Sequence, residues 1–394
     1  MGNAIRGTGL ACALALGAAG ASAQSIGGQP DHEIESSAIV EPQVHAPRLT
    51  FTNTSGGEVT FYGQFNPAFQ SFDDGVSTTS GLVDNGNWNS RLGFRITQPL
   101  NETTLRLRFE TGLGLRSSAA ISQEARRPDW VDWQRTSLRW FEAALDTRYG
   151  TVSVGQGSTA SDGAAGLDDS FTFHAGAADS SDGFSSFRFR DEAGALTDIT
   201  VGAVNETFDG ARRFRIRYDT PSIGGVVLST SYGRNVLVGS DKRHFYDVAL
   251  RWSGDLGDFA VQTAASYGLD DDPRGDNQRR AAGSMTVFHI PTGLNLTLSA
   301  SSRMNGPEHQ YVRAGWRRDF FDVGTTSLSV DYYRGRNFVS DGARTENYGL
   351  YAVQSFDAVS LDAYIGWRRF TYSDRSGVSY RNADGVLIGA RWFF

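Results

Sequence analysis

The sequence predicts an all-β chain, a transmembrane antiparallel up-and-down β-barrel of sixteen strands. Three observations carry this. From Val59 onward, short segments alternate apolar and polar residues with period 2. The links between these segments run short and long by turns, and outer-membrane barrels sort their loops by side in this way. No segment after the N-terminus holds eighteen consecutive apolar residues, so helical spanning is excluded. Barrel strands escape averages such as the mean hydropathy of -0.35.

Composition narrows the class without naming it. At 394 residues the chain allows several soluble domains or one large all-β domain. A formal charge of -7 and a pI near 5.4 leave no basic excess to displace phosphate counterions, which argues against nucleic acid as a partner.

Along the chain, Arg6 precedes a small, apolar run from Gly9 to Gly20 and then Ala21-Ser22-Ala23. This is the pattern of a secretory signal over 1–23, cleaved before Gln24. The run is too short for a helical span, which needs ~20 residues. Cys12, the only cysteine, lies within it, so the mature chain has no disulfide. Residues 24–56 carry Pro30, Pro42 and Pro47 with no sustained period and are expected to be a mobile extension. The barrel occupies 57–394, with strands expected at 59–70, 90–98, 103–115, 136–145, 151–158, 211–219, 226–234 and 244–253. The second half is expected at 259–268, 280–290, 295–304, 309–319, 326–335, 345–355, 360–371 and 384–394.

The facing of several strands follows from alternation. "SRLGFRIT" sets Arg91 and Arg95 against Leu92, Phe94 and Ile96. "TLRLRFE" sets Arg106, Arg108 and Glu110 against Leu105, Leu107 and Phe109. "RFRIRYD" sets Arg213, Arg215 and Arg217 against Phe214, Ile216 and Tyr218. In the fourth strand, "LRWFEAAL", strict alternation brings either Arg139 or Glu142 inward, not both. Seven short links, from "PLNE" (99–102) to "FDAVS" (356–360), leave eight long loops and put both chain ends on the short-turn side. A soluble sandwich also alternates but has no reason to sort its loops. The chain ends "GVLIGARWFF", with Val386, Ile388, Ala390, Trp392 and Phe394 on one face, which suits an aromatic interfacial girdle.

The stretches "VTFYGQFNPAFQSFDDG" (59–75), "NSRLGFRI" (89–96), "YGTVSVGQGSTASDG" (149–163) and "RIRYDTPSIGGVVLSTSYG" (215–233), with the Phe-terminated last strand, resemble the general bacterial porins of the alphaproteobacterial type. The resemblance implies a homotrimeric outer-membrane barrel, set in lipid and lipopolysaccharide, whose third long loop (159–210 here) folds inward. It implies a water-filled channel for passive diffusion of ions and small hydrophilic solutes. Phe394 would be read by the barrel assembly machinery. Carried over by position, loop acids Asp162, Asp168 and Asp169 face wall arginines Arg91 and Arg139 and one or more of Arg213, Arg215 and Arg217. Facing alone adds Arg95, Arg106 and Arg108. Lysine occurs once, at Lys242; arginine keeps its charge under ordinary conditions, which suits a permanently charged lining. Two features depart from the family: the long extension, and the segments "SSFRFRD" and "TDITVGAV", which can pair as a hairpin inside the loop. They keep a second reading open, a substrate-selective porin with a saturable site in the constriction.

No enzyme is expected. "VSVGQGSTA" (152–160) fits a dinucleotide fingerprint, but "SDGAAGLDDS" follows it and lacks the helical period that would aim a helix terminus at phosphate. The histidines at 32, 45, 174, 244, 289 and 309 have no ligand spacing, and no G-x-S-x-G elbow occurs. No cofactor is implied. "GLDDSF" (166–171) and "GLDDDPRGD" (268–276) have oxygens that suit Ca²⁺, though solvated loop acid is the simpler reading.

Overall fold

A computed structural model describes residues 49–178 and 181–394. The expected signal and residues 24–48 of the expected extension lie outside them. The described chain is a closed antiparallel barrel of sixteen strands. Strand β1 runs through Glu58–Phe65 and Pro67–Asp73, and β2 through Thr78–Asp84 and Arg91–Leu100. There follow β3 (Thr103–Gly112), β4 (Leu138–Thr147), β5 (Gly150–Ser158), β6 (Arg212–Asp219), β7 (Val226–Arg234) and β8 (His244–Leu256). The second half is β9 (Phe259–Asp271), β10 (Gln278–His289), β11 (Leu294–Arg303), β12 (Glu308–Phe321), β13 (Gly324–Arg336), β14 (Arg344–Phe356), β15 (Leu361–Ser373) and β16 (Ala383–Phe393). Each strand pairs with the next, and β16 returns to β1 through Ile388↔Phe69 and Gln64↔Phe393.

The alternation read from sequence sorts the two faces. In β11, Leu294, Leu296 and Leu298 are exposed on one face, while Asn295, Thr297, Ser299 and Ser301 are buried on the other. A closed sheet with an apolar exterior is the form in which every backbone group is satisfied inside a bilayer.

Three features differ from the sequence reading. Residues 78–84, expected as loop, complete β2 by pairing with 67–73. The strand is interrupted at 85–90, and that insert is held by side chains of β1: Gln64 Nε2 and Asn66 Nδ2 donate to the Trp88 carbonyl at 2.8 and 2.7 Å. Proline at 67, which has no N–H to give, stands at the break in β1. Leu49–Thr52, expected within the extension, is a strand paired with β1 (Leu49↔Phe61), and it covers the β1 edge below the point where β16 ends. The links on the long-loop side are not uniformly long, since 74–77 and 304–307 are four-residue turns. The contrast rests mainly on 113–137 and 159–211.

The 159–211 stretch has two parts. The first runs along the polar face: Ala160 N–H donates to Ser231 Oγ at 2.8 Å, Leu167 N–H to Ser284 Oγ at 3.2 Å, and Ser299 Oγ to the Ala165 carbonyl at 2.8 Å. The second contains the antiparallel pair Arg188–Arg190 and Leu196–Thr200, the hairpin its alternation allows. It packs an apolar cluster against the barrel. Phe187 stacks on Phe72 of β1 at 4.1 Å between centroids, Phe184 meets Phe370 of β15 at 5.7 Å, and Phe189 meets Tyr372 at 5.8 Å.

Candidate pore constriction

The arginines of β2–β4 converge on one carboxylate. Glu110, fully buried on β3, accepts from Arg108 at 2.8 Å and from Arg139, and lies 4.0 Å from Arg91. The reach of Arg139 comes from a break in register. Glu110 pairs with Trp140 but Thr111 pairs with Leu138, so Arg139 is the extra residue of a β-bulge. The bulge lets Arg139 and Glu142 both point inward, which corrects the strict alternation expected of this strand; Glu142 accepts from Arg215 of β6 at 2.5 Å. Aromatic faces hold the guanidiniums flat: Arg91 over Trp88 at 4.5 Å, Arg108 over Trp140 at 4.2 Å and Arg95 over Tyr62 at 4.6 Å.

Other expected wall residues are tied within the wall. Arg106 clasps Asp146 with two bonds of 2.6 and 2.7 Å, and Arg217 clasps Asp219. Arg213 lies on another side of the barrel, over Phe245 at 4.4 Å.

The loop acids divide. Asp168 accepts from Arg313 of β12 at 2.5 Å. Asp169 accepts from Gln262 of β9 at 3.1 Å, and its burial, with Asp168 alongside, pushes its carboxyl up to about 6. The carbonyl of Asp162 accepts from Arg251 of β8 at 2.9 Å. Between loop and wall an open space of about 620 Å³ remains, with Arg91, Arg139 and Arg212 on the wall side and Asp162 and Asp168 on the loop side. Of the expected opposition, then, Arg91, Arg139, Asp162 and Asp168 share one space. Asp169, Arg95, Arg106, Arg108, Arg213, Arg215 and Arg217 do not line it.

Sequence reasoning did not single out the groups that seat the loop. Arg313 is fully buried and donates to Asp168, to the Gly176 carbonyl and to Asp331 at 2.9 Å. Arg368 joins Asp331 at 2.5 Å to the Ala177 carbonyl at 2.8 Å, and Tyr311 donates to Asp331 at 2.9 Å. The signal was present in "YVRAGWRR", where Tyr311, Arg313 and Arg317 alternate onto one face. Trp88 lay unrecognised in the insert "NGNWNS". Histidines 174 and 309 are buried, and burial pushes the His174 ring down to about 3. Among the described residues no three metal-ligating side chains come together; in the 268–276 loop, Asp272 is clasped by Arg274 and Asp270 by Arg280.

A closed barrel, apolar outside and lined by paired charges inside, defines an outer-membrane channel protein. The model of the Gram-negative porin family matches residues 10–375, and the chain belongs to that family. No curated protein matches the sequence. Solved structures share the fold at low identity. The anion-selective porin of Comamonas acidovorans is 17% identical with a TM-score of 0.56, over 86% of this chain and 100% of that one. OmpT, an outer-membrane protein of Vibrio cholerae, is 15% identical with a TM-score of 0.55, over 88% and 100%. A mutant porin of Rh. blastica is 18% identical with a TM-score of 0.52, over 85% and 100%.

Proposed function

We propose that this porin passes ions and small hydrophilic solutes by passive diffusion, and that its charge preference is set where the 159–211 loop faces β2–β4. The observation that supports this is the space shared by Arg91 and Arg139 on one side and Asp162 and Asp168 on the other. In a water-filled gap between low-dielectric walls, fixed charges act on a passing ion over about one Debye length, near 8–10 Å at ordinary salt. The gap needs no moving part: the loop is tied to β12 and β15 by Arg313 and Arg368 and packed on β15 and β1 through Phe184 and Phe187. In this reading the protein works as a homotrimer in lipid and lipopolysaccharide, after removal of residues 1–23 and insertion by the barrel assembly machinery.

The test is a planar-bilayer recording of reversal potential in a salt gradient. Replacing Arg91 and Arg139 by Gln shifts the potential toward cations, and Asp162→Asn with Asp168→Asn shifts it toward anions. Both shifts shrink at 1 M salt, where the Debye length is about 3 Å. Parent potentials in both double variants at low salt would place the selectivity elsewhere.

A further inference from the structure

A second cavity, of about 280 Å³, lies between residues 206–211 and the polar face of β6–β11. Its charged lining balances, with Arg213, Arg243, Arg280 and Arg303 against Glu206, Asp209, Asp247 and Asp270. Three of the arginines are held by acids. Arg243 is clasped by Asp241 at 2.9 and 3.0 Å, Arg280 lies 3.0 Å from Asp270 and 3.3 Å from Asp247, and Arg303 is clasped by Glu206 at 2.9 and 3.0 Å.

Arg213 is different. Its Nη1 donates to the Arg212 carbonyl at 2.9 Å and its guanidinium lies 4.4 Å above the Phe245 ring, but among the described residues it has no carboxylate partner. Gly233 on the intervening strand permits this posture, because a Cβ there would fall 3.2 Å from Arg213 Cβ and 2.8 Å from Arg215 Cβ. Asp247 lines the same cavity. Asp247 Oδ1 accepts from Ser161 at 2.5 Å and Arg280 at 3.3 Å, while its Oδ2 is buried without a partner. Asp247 follows Phe245 by two residues on one face of β8, which puts the two about 7 Å apart along the strand.

A pocket neutral in sum, with one guanidinium and one carboxylate oxygen unmatched, gains little from an ion of one sign, which meets four like charges as well as four opposite ones. It gains from a solute that carries one charge of each sign close together. We propose that this cavity is a binding site for small zwitterions, specifically α-amino acids. The solute carboxylate accepts from Arg213 and its ammonium donates to the Asp247 carboxylate. Arg213 fits the role because its planar fork can engage both oxygens of a carboxylate while stacked on a ring. The site rests on the channel reading above and adds a saturable step to it.

The test is the ion current of the full protein in a planar bilayer under titration with leucine, N-acetylleucine or leucine amide. Leucine produces a saturable fall in conductance, and each analogue, lacking one of the charges, needs about tenfold more to give the same fall, as expected for one lost charge-assisted hydrogen bond. Arg213→Gln weakens the leucine effect to the level of the amide. Equal block by the three compounds, or block by N-acetylleucine alone, overturns the proposal. So does an open channel that leucine leaves unaffected, which keeps the diffusion reading intact. A protein that conducts no current would instead remove that reading. The three-compound comparison needs no variant, so a failure of Arg213→Gln to fold leaves the test standing.

Discussion

Single carboxylates are expected to move the selectivity toward anions by different amounts when they lose their charge. Glu110 balances Arg91, Arg108 and Arg139 at once. Glu110→Gln therefore uncovers positive charge on three arginines at once, and the reversal potential at low salt moves toward anions. Glu142→Gln, which removes the partner of Arg215 alone, moves it less. Equal shifts from the two would show that Glu110 is not the hub of the wall. Asp169 adds a pH dependence. Its carboxyl is pushed up to about 6 by burial and by Asp168, with the Arg317 guanidinium opposing. An acid raised above its unfolded value of about 3.9 stabilises the fold fully below that value, and the contribution is lost as pH rises through 6. The loop is thus seated more firmly in acid, and Asp169, behind the lining residue Asp168, loses its negative charge as pH falls from 7 to 5. The expected result is a shift of reversal potential toward anions over that interval, absent in Asp169→Asn. A parent protein with a flat profile would contradict it.

At the scale of the strand, the two faces are expected to tolerate opposite substitutions. Leu107 is exposed on the apolar exterior of β3, whereas Arg106 lies inside, clasped by Asp146. Leu107→Arg places a base toward lipid, at a cost of about 2–4 kcal/mol near the bilayer midplane. Arg106→Leu loses one partly exposed ion pair, worth far less. Thermal unfolding of the barrel measures both, and equal damage would mean the faces are exchanged. Facing of this kind was legible in the sequence because side-chain period and burial coincide, as in "TLRLRFE" and "RFRIRYD". What alternation hid was each place where the period breaks. The bulge at Arg139 turns two nearby charges to the same side, and the insert at 85–90 splits β2, so "TTSGLVD" stands apart in sequence from the strand it completes. The loop acids were visible as residues, but their partners were not. Asp168 meets Arg313 from 145 positions away, and no local pattern encodes that distance.

For the whole molecule the decisive event is closure, the joining of the last strand to the first. Phe394 and Gly63 exchange two backbone hydrogen bonds of 3.1 Å, and Phe393 N–H donates to the Ser360 carbonyl at 3.1 Å. The Phe394 ring lies over Gly63, where a Cβ would sit 2.9 Å from Phe394 Cζ, 2.5 Å from Leu92 Cδ2 and 2.9 Å from the Arg91 carbonyl oxygen. The terminal aromatic therefore fills a seat on the exterior of the seam, and only a residue without a side chain leaves that seat open. Two proposed roles for Phe394 can be separated on this basis. As an assembly signal it acts while the barrel is still open; as a seam filler it acts once β1 and β16 have met. Deleting Phe394 is expected to lower the cellular yield of heat-modifiable barrel while synthesis and export continue. Gly63→Ala keeps the terminal aromatic but crowds its seat, so it is expected to lower the melting temperature of the barrel with a smaller loss of yield. A truncated chain that assembles as well as the full one would remove the signal role, and an unchanged melting temperature in Gly63→Ala would remove the seam role.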